Sequence, residues 1–133
     1  MVVGVADTHA ALWYLFDDKR LSRDAGEFMD RAAASRTVIA LSTISLAEVV
    51  YLIEKNRLPL SAYDDLKRAL DDSSHVFKEE PVTMEIIDAM RHVPREQVPD
   101  MPDRIVATTA IYFGVPVISR DGRIRASDVQ TIW

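Results

Sequence analysis

The chain has no cysteine among its 133 residues. Disulfides and thiolate metal sites are therefore excluded. Four glycines and six prolines are too few for a collagen-like or low-complexity chain. No apolar run approaches the ~20 residues that a membrane-spanning helix needs. The opening segment, Met1-Val2-Val3-Gly4-Val5-Ala6-Asp7, has no basic start and reaches a charge too early for a secretory signal. A basic excess is missing too: 16 basic residues against 21 acidic ones leave a net charge of −5, which is not the profile of a nucleic-acid-binding surface. Without redox or targeting signals, a cytoplasmic location with no membrane association is the expectation. The hydrophobic fraction of 48% and charged fraction of 28% fit a globular chain. The length predicts a single domain over 1–133 with room for a real core.

The pattern alternates short β-branched runs with longer helical ones, without repeats or linker-like stretches. Strands are predicted over 2–6, 37–41, 75–78 and 115–119, with a last edge strand over 129–132. Helices are predicted over 9–16, 22–34, 44–55, 61–71, 84–92 and 103–113, with Ser22, Ser61 and Thr83 as N-caps. Gly114 stops the last of these. Residues 93–102 hold three prolines and read as a loop. Strands apolar on both sides and separated by helices imply a mainly parallel sheet covered on both faces, a three-layer α/β/α sandwich. Ligands in such folds sit outside the carboxyl ends of the strands.

Four acids fall at that edge. Asp7 ends the first strand, Glu48 lies about one turn into the helix after the second, Asp103 opens the helix after the proline loop, and Asp121 follows the strand 115–119. Each has a plainer role open to it. Asp7 or Thr8 can cap the next helix. Asp103 can complement a helix dipole, with Asp100 as the N-cap. Asp121-Gly122 is a common turn dipeptide. Glu48 differs, because Ile44, Tyr51 and Leu52 are its helical neighbours. A carboxylate on that apolar face needs a partner, and a cation is the natural one. Together the four suit a hard cation such as Mg²⁺ or Mn²⁺, which prefers oxygen ligands. A metal held this way serves phosphodiester hydrolysis, polarising the phosphoryl group and acidifying water. Carboxylates concentrated around a metal also account for the acidic balance, since the cation reverses the local sign. Arg104, Arg120, Arg123 and Arg125 are the phosphate-gripping candidates, with a solvated charged surface, or for Arg104 a carboxylate partner, as the alternative. His9, His75 and His92 share no helical spacing and read as surface or packing residues. Trp13, Tyr14 and Phe16 read as core or dimer surface.

Four stretches in order carry a resemblance: Val5-Ala6-Asp7-Thr8-His9-Ala10-Ala11-Leu12-Trp13, Ser42-Thr43-Ile44-Ser45-Leu46-Ala47-Glu48-Val49, Asp100-Met101-Pro102-Asp103-Arg104-Ile105-Val106-Ala107-Thr108-Thr109-Ala110, and Val117-Ile118-Ser119-Arg120-Asp121-Gly122-Arg123-Ile124. The chain resembles the PIN-domain family, and most closely the VapC-type toxins of toxin–antitoxin pairs. The resemblance implies a PIN-like fold and a Mg²⁺- or Mn²⁺-dependent endoribonuclease acting on RNA, commonly a homodimer, inhibited by a cognate antitoxin protein. It puts Asp7, Glu48, Asp103 and Asp121 at the catalytic, metal-binding quartet, with Thr8 and Ser119 supplying supporting hydrogen bonds. The third stretch departs slightly, with Met101 between Asp100 and Pro102 where the family often has proline directly after the first aspartate. A receiver-type signalling domain would need an acidic pair after the first strand and a late lysine, but Ala6 precedes Asp7 and no lysine follows Lys78. A haloacid-dehalogenase-type phosphatase would need Asp at position 9, which is His9. The remaining alternative is a catalytically inactive PIN-like module that binds RNA or protein, against which all four acids speak.

Overall fold

The computed structural model describes residues 1–133. Five strands, β1 (Val2–Ala6), β2 (Val38–Ser42), β3 (Phe77–Glu80), β4 (Val117–Ile118) and β5 (Thr131–Ile132), form one sheet in the order β3-β2-β1-β4-β5. Every neighbouring pair is parallel. Seven helices connect and cover it: α1 (Thr8–Leu15), α2 (Arg23–Ala34), α3 (Thr43–Glu54), α4 (Ser61–Asp71), α5 (Met84–Ala89), α6 (Met101–Phe113) and α7 (Gly122–Ala126). A 3-10 turn over Met90–His92 succeeds α5.

Successive strand residues point to opposite faces, and the core divides accordingly. Ala6, Ile39, Leu41, Phe77 and Ile118 join Leu12 of α1, Met29 of α2 and Leu66 of α4 on one face. Val5, Ala40 and Val117 join Val106 and Ala110 of α6, Ile124 of α7, and the loop residues Val93, Val98 and Val129 on the other. With both faces covered, the inner strands β1, β2 and β4 read as nearly continuous apolar runs, while edge strand β3 exposes Lys78 and Glu79. The expected three-layer α/β/α sandwich is the observed one.

The differences are local. Ser61 does not cap α4. Leu60 holds the cap position without a side-chain hydrogen bond, because the Pro59 carbonyl already accepts the Ala62 N–H and the chain is turning before Ser61. The second-last strand is Val117–Ile118, shorter than 115–119, and β3 is shifted to 77–80. Helix α6 begins at Met101 and not at Asp103, with Asp100 accepting the Asp103 N–H at 3.1 Å. A short helix, α7, was not expected; Asp121 starts it where the Asp-Gly pair suggested a simple turn.

Gly114 caps α6 with φ of 65°, the left-handed region where a side chain is penalised. Gly114→Ala is expected to lower the unfolding free energy by about 1 kcal/mol. Urea titration followed by circular dichroism measures this, and an unchanged midpoint would contradict it.

Candidate active site

Two parallel connections leave β1 in opposite directions. The chain passes from β1 to β2 and β3 on one side, while β4 and β5 add on the other. The crevice therefore opens at the β1/β4 boundary, where strand order reverses. The backbone closes that boundary with the Asp7 N–H donating to the Ile118 carbonyl at 3.1 Å.

A cavity of about 530 Å³ lies there, lined by Asp7, Glu48, Asp100, Asp103 and Asp121 together with Thr8, His9, Trp13, Arg20, Arg120 and Arg123. All four acids singled out in the sequence line this one cavity. Several of the plainer roles hold as well, so capping and cavity lining are not alternatives. Asp7 caps α1 through the Ala10 N–H at 2.8 Å. Asp121 caps α7 with one oxygen, Oδ1, accepting the Arg123 and Ile124 N–H groups at 2.9 and 3.0 Å. Each cap fixes a carboxylate at a helix start, where the positive end of the helix dipole favours it.

Two hydroxyls brace the acids. Thr8 Oγ1 donates to Glu48 Oε1, giving half-buried Glu48 a polar partner other than a cation. The fully buried Ser119 hydroxyl accepts the Asp121 N–H at 2.9 Å and lowers the Asp7 carboxyl, so it senses the acids at the ends of both β1 and β4.

The electrostatics record the crowding. Burial is the largest cause holding the Asp7 carboxyl above its usual range, against lowering by the Ser119 and Ala10 hydrogen bonds and by His9; the Asp121 charge adds to the rise. Asp103 is pushed up to about 7, first by burial and then by the charges of Asp121, Asp100, Glu48 and Asp7. No group of three or more acidic or histidine side chains converges closely enough to cage an ion. The donor set still fits a hard divalent cation, because every carboxylate at the cavity raises Asp103 and a doubly charged ion relieves that repulsion.

The arginines divide. Arg120 and Arg123 line the cavity. Arg104 does neither thing expected of it: its guanidinium donates to the Val93 carbonyl at 2.9 Å and the Met90 carbonyl at 3.3 Å, tying the proline loop to α6. Arg125 does not line the cavity. Sequence reasoning missed Arg20; it read Trp13 as core or dimer surface, and Trp13 is a buried core residue that also lines the cavity. Trp13 is 6% exposed, and the Arg20 and Arg120 guanidiniums lie 5.1 and 4.6 Å from its ring. Its helical spacing from Asp7 and His9 carried a weak signal, since all three belong to the first turns after β1.

The PIN domain family model matches residues 5–129. The chain belongs to the PIN-domain family. Among its relatives is "Ribonuclease VapC22" of Mycobacterium tuberculosis, 27% identical over 126 residues that cover 95% of this chain and 92% of that protein. The PIN fold is shared with VapBC2 from Rickettsia felis bound to a promoter DNA fragment, at a TM-score of 0.70 and 13% identity, covering 98% of this chain and 97% of that one. A toxin–antitoxin complex from Klebsiella pneumoniae superposes with a TM-score of 0.62 at 19% identity, covering 98% and 96%. The PIN motifs read from the sequence thus match both the family and its architecture.

The raised Asp103 makes a pH prediction for the metal-free PIN domain. The unfolded carboxyl loses its proton near 3.8 and the folded one near 7, so between these values the folded state binds the extra proton and stability falls as pH rises. His75, lowered by burial, works in the opposite direction, so the variant comparison is the informative one. Asp103→Asn is expected to melt above the wild type at about pH 8, the gap closing toward about pH 4. Thermal unfolding in chelator tests this, and a pH-independent gap would contradict it.

Proposed function

We propose that this chain is a metal-dependent endoribonuclease, the toxin of a toxin–antitoxin pair working in the cytoplasm. One observation carries the reading: Asp7, Glu48, Asp103 and Asp121, drawn from four separated stretches, line a single cavity in a PIN-family chain. The ribonuclease name of one relative and the toxin–antitoxin complexes among the similar structures support the same direction. No helix is long and apolar enough to cross a membrane.

Asp7, Asp103 and Glu48 would hold the cation, with Asp121 completing the set. Mg²⁺ or Mn²⁺ supplies polarisation of the phosphoryl group and a more acidic water. The protein's own groups do the rest. The Ala10 N–H fixes the Asp7 carboxylate, and Thr8 fixes Glu48. Asp121 uses Oδ1 for its helix, which leaves Oδ2 to orient the attacking water. Arg120 and Arg123, which form no ion pairs, bind phosphates of the RNA strand. Water attacks phosphorus, the bond to the leaving ribose oxygen breaks, and the proton lost by the water ends on that oxygen or in solvent. A cognate antitoxin would act by covering this cavity. Exposed Ile87 on α5 and Ile111 and Tyr112 on α6 offer an apolar surface for a homodimer.

Asp7→Asn separates chemistry from folding, because Asn caps a helix as well as Asp does. Loss of even a group supporting a metal ligand costs roughly 10–100-fold, so Asp7→Asn is expected to lose more than ~100-fold in RNA cleavage with its circular dichroism unchanged. Undiminished cleavage by a clean preparation would defeat the assignment. Isothermal titration with Mn²⁺ gives a second check: Thr8→Val, which frees Glu48, is expected to weaken binding by roughly 10–100-fold.

A further inference from the structure

A second cavity, of about 470 Å³, adjoins the acid cavity and shares His9, Trp13 and Arg20 with it. The lining changes character along α1. At its start the walls are carboxylates. Toward its end they become Leu12 and Phe16, faced by Leu58 and Pro59 of the α3–α4 connection, with Arg57, Ser61 and the Arg20-paired Asp18 as polar groups. Phe16 is 44% exposed although aromatic. Arg57 is exposed and forms no ion pair. Arg20 is held against Trp13 by a two-pronged bond to Asp18, at 3.0 and 2.7 Å, so this wall is preset.

We infer that this second cavity is a binding pocket for the nucleobase next to the scissile phosphate, with Trp13 as the wall between base and phosphate sites. The inference rests on the nuclease reading of the acid cavity. Its chemistry is that of single-stranded RNA. The phosphodiester needs the carboxylate site, whereas the attached base needs an apolar, aromatic surface and a few hydrogen-bonding groups. Phe16, Leu58 and Pro59 supply the surface. Arg57 offers donors only, which match the carbonyl acceptors of a base edge. A continuous groove that is acidic at one end and apolar with a free guanidinium at the other binds a nucleotide in one orientation. Phe16 and Arg57 thereby become specificity residues.

Uncharged ribonucleosides test the pocket without involving the acid site. The full chain, with no added metal, is titrated with adenosine, guanosine, cytidine, uridine and, as control, ribose. Tryptophan fluorescence is the readout, since Trp13 lines the cavity and the chain's other tryptophan, Trp133, lies 5.9 Å from it. At least one nucleoside is expected to give a saturable change that ribose does not. Phe16→Ala and Arg57→Ala, both at exposed positions, are each expected to weaken it by about tenfold. With RNA and Mn²⁺ the same variants should raise KM and alter the preferred cleavage site, with kcat within about twofold of wild type. No nucleoside response, an equal response to ribose, or equal affinity in both variants overturns the pocket. Cleavage whose KM and site preference ignore both variants also overturns it, while the nuclease reading stands. Variant-sensitive nucleoside binding by a chain that cleaves no RNA with Mg²⁺ or Mn²⁺ overturns the nuclease reading and leaves the base pocket.

Discussion

Parallel pairing on both sides of β1 is the constraint that sets everything else in this molecule. All five strands point the same way, so their carboxyl ends form one edge. The helices must return antiparallel, so their amino ends gather at that edge too. Strand order reverses at β1 and β4, and the crevice this opens is filled by the residues immediately after those two strands. Asp7 succeeds β1, and Ser119 to Asp121 succeed β4. A fold held by two apolar faces can tolerate this concentration of charge at one rim. Asp7 is the one charged side chain among the buried residues, so the charge burdens the rim and not the packing.

Crowded carboxylates need something to hold them still, and the chain uses its own helix starts. Asp7, Asp100 and Asp121 each satisfy N–H groups that helices α1, α6 and α7 would otherwise leave open. The cap bonds orient the acids, and the helix dipoles soften their repulsion. Asp103 makes no such cap bond, and burial together with the neighbouring charges pushes its carboxyl up to about 7. Positioning and electrostatic tolerance thus come from one device, used three times.

Much of this was legible in the sequence because the signals were local and redundant. The apolar runs 2–6 and 37–41 could only be buried strands, and Gly114 could only end a helix. The order of strands and helices then put four distant acids at one edge without any knowledge of distances. Other features depended on side-chain geometry that no spacing encodes. The bond from the Asp7 N–H to the Ile118 carbonyl needs β1 and β4 to be neighbours. Arg104 follows Asp100 and Asp103 in sequence, yet its fork reaches the backbone carbonyls of Val93 and Met90, because the proline loop packs Val93 and Val98 beneath α6. Trp13 satisfied the apolar period of its helix, so nothing distinguished a cavity wall from core. Helix α7 was missed because Asp-Gly serves a turn and a helix start equally well.

The last residue has a practical bearing. The indole of Trp133 packs 5.9 Å from that of Trp13, which borders both cavities. Anything appended after position 133, whether an affinity handle or a fluorescent fusion, would leave the molecule close to Trp13 and so beside the mouth of the crevice. Met1 leads into β1 at the opposite rim of the sheet and is 89% exposed. Handles placed at that end would leave the crevice free.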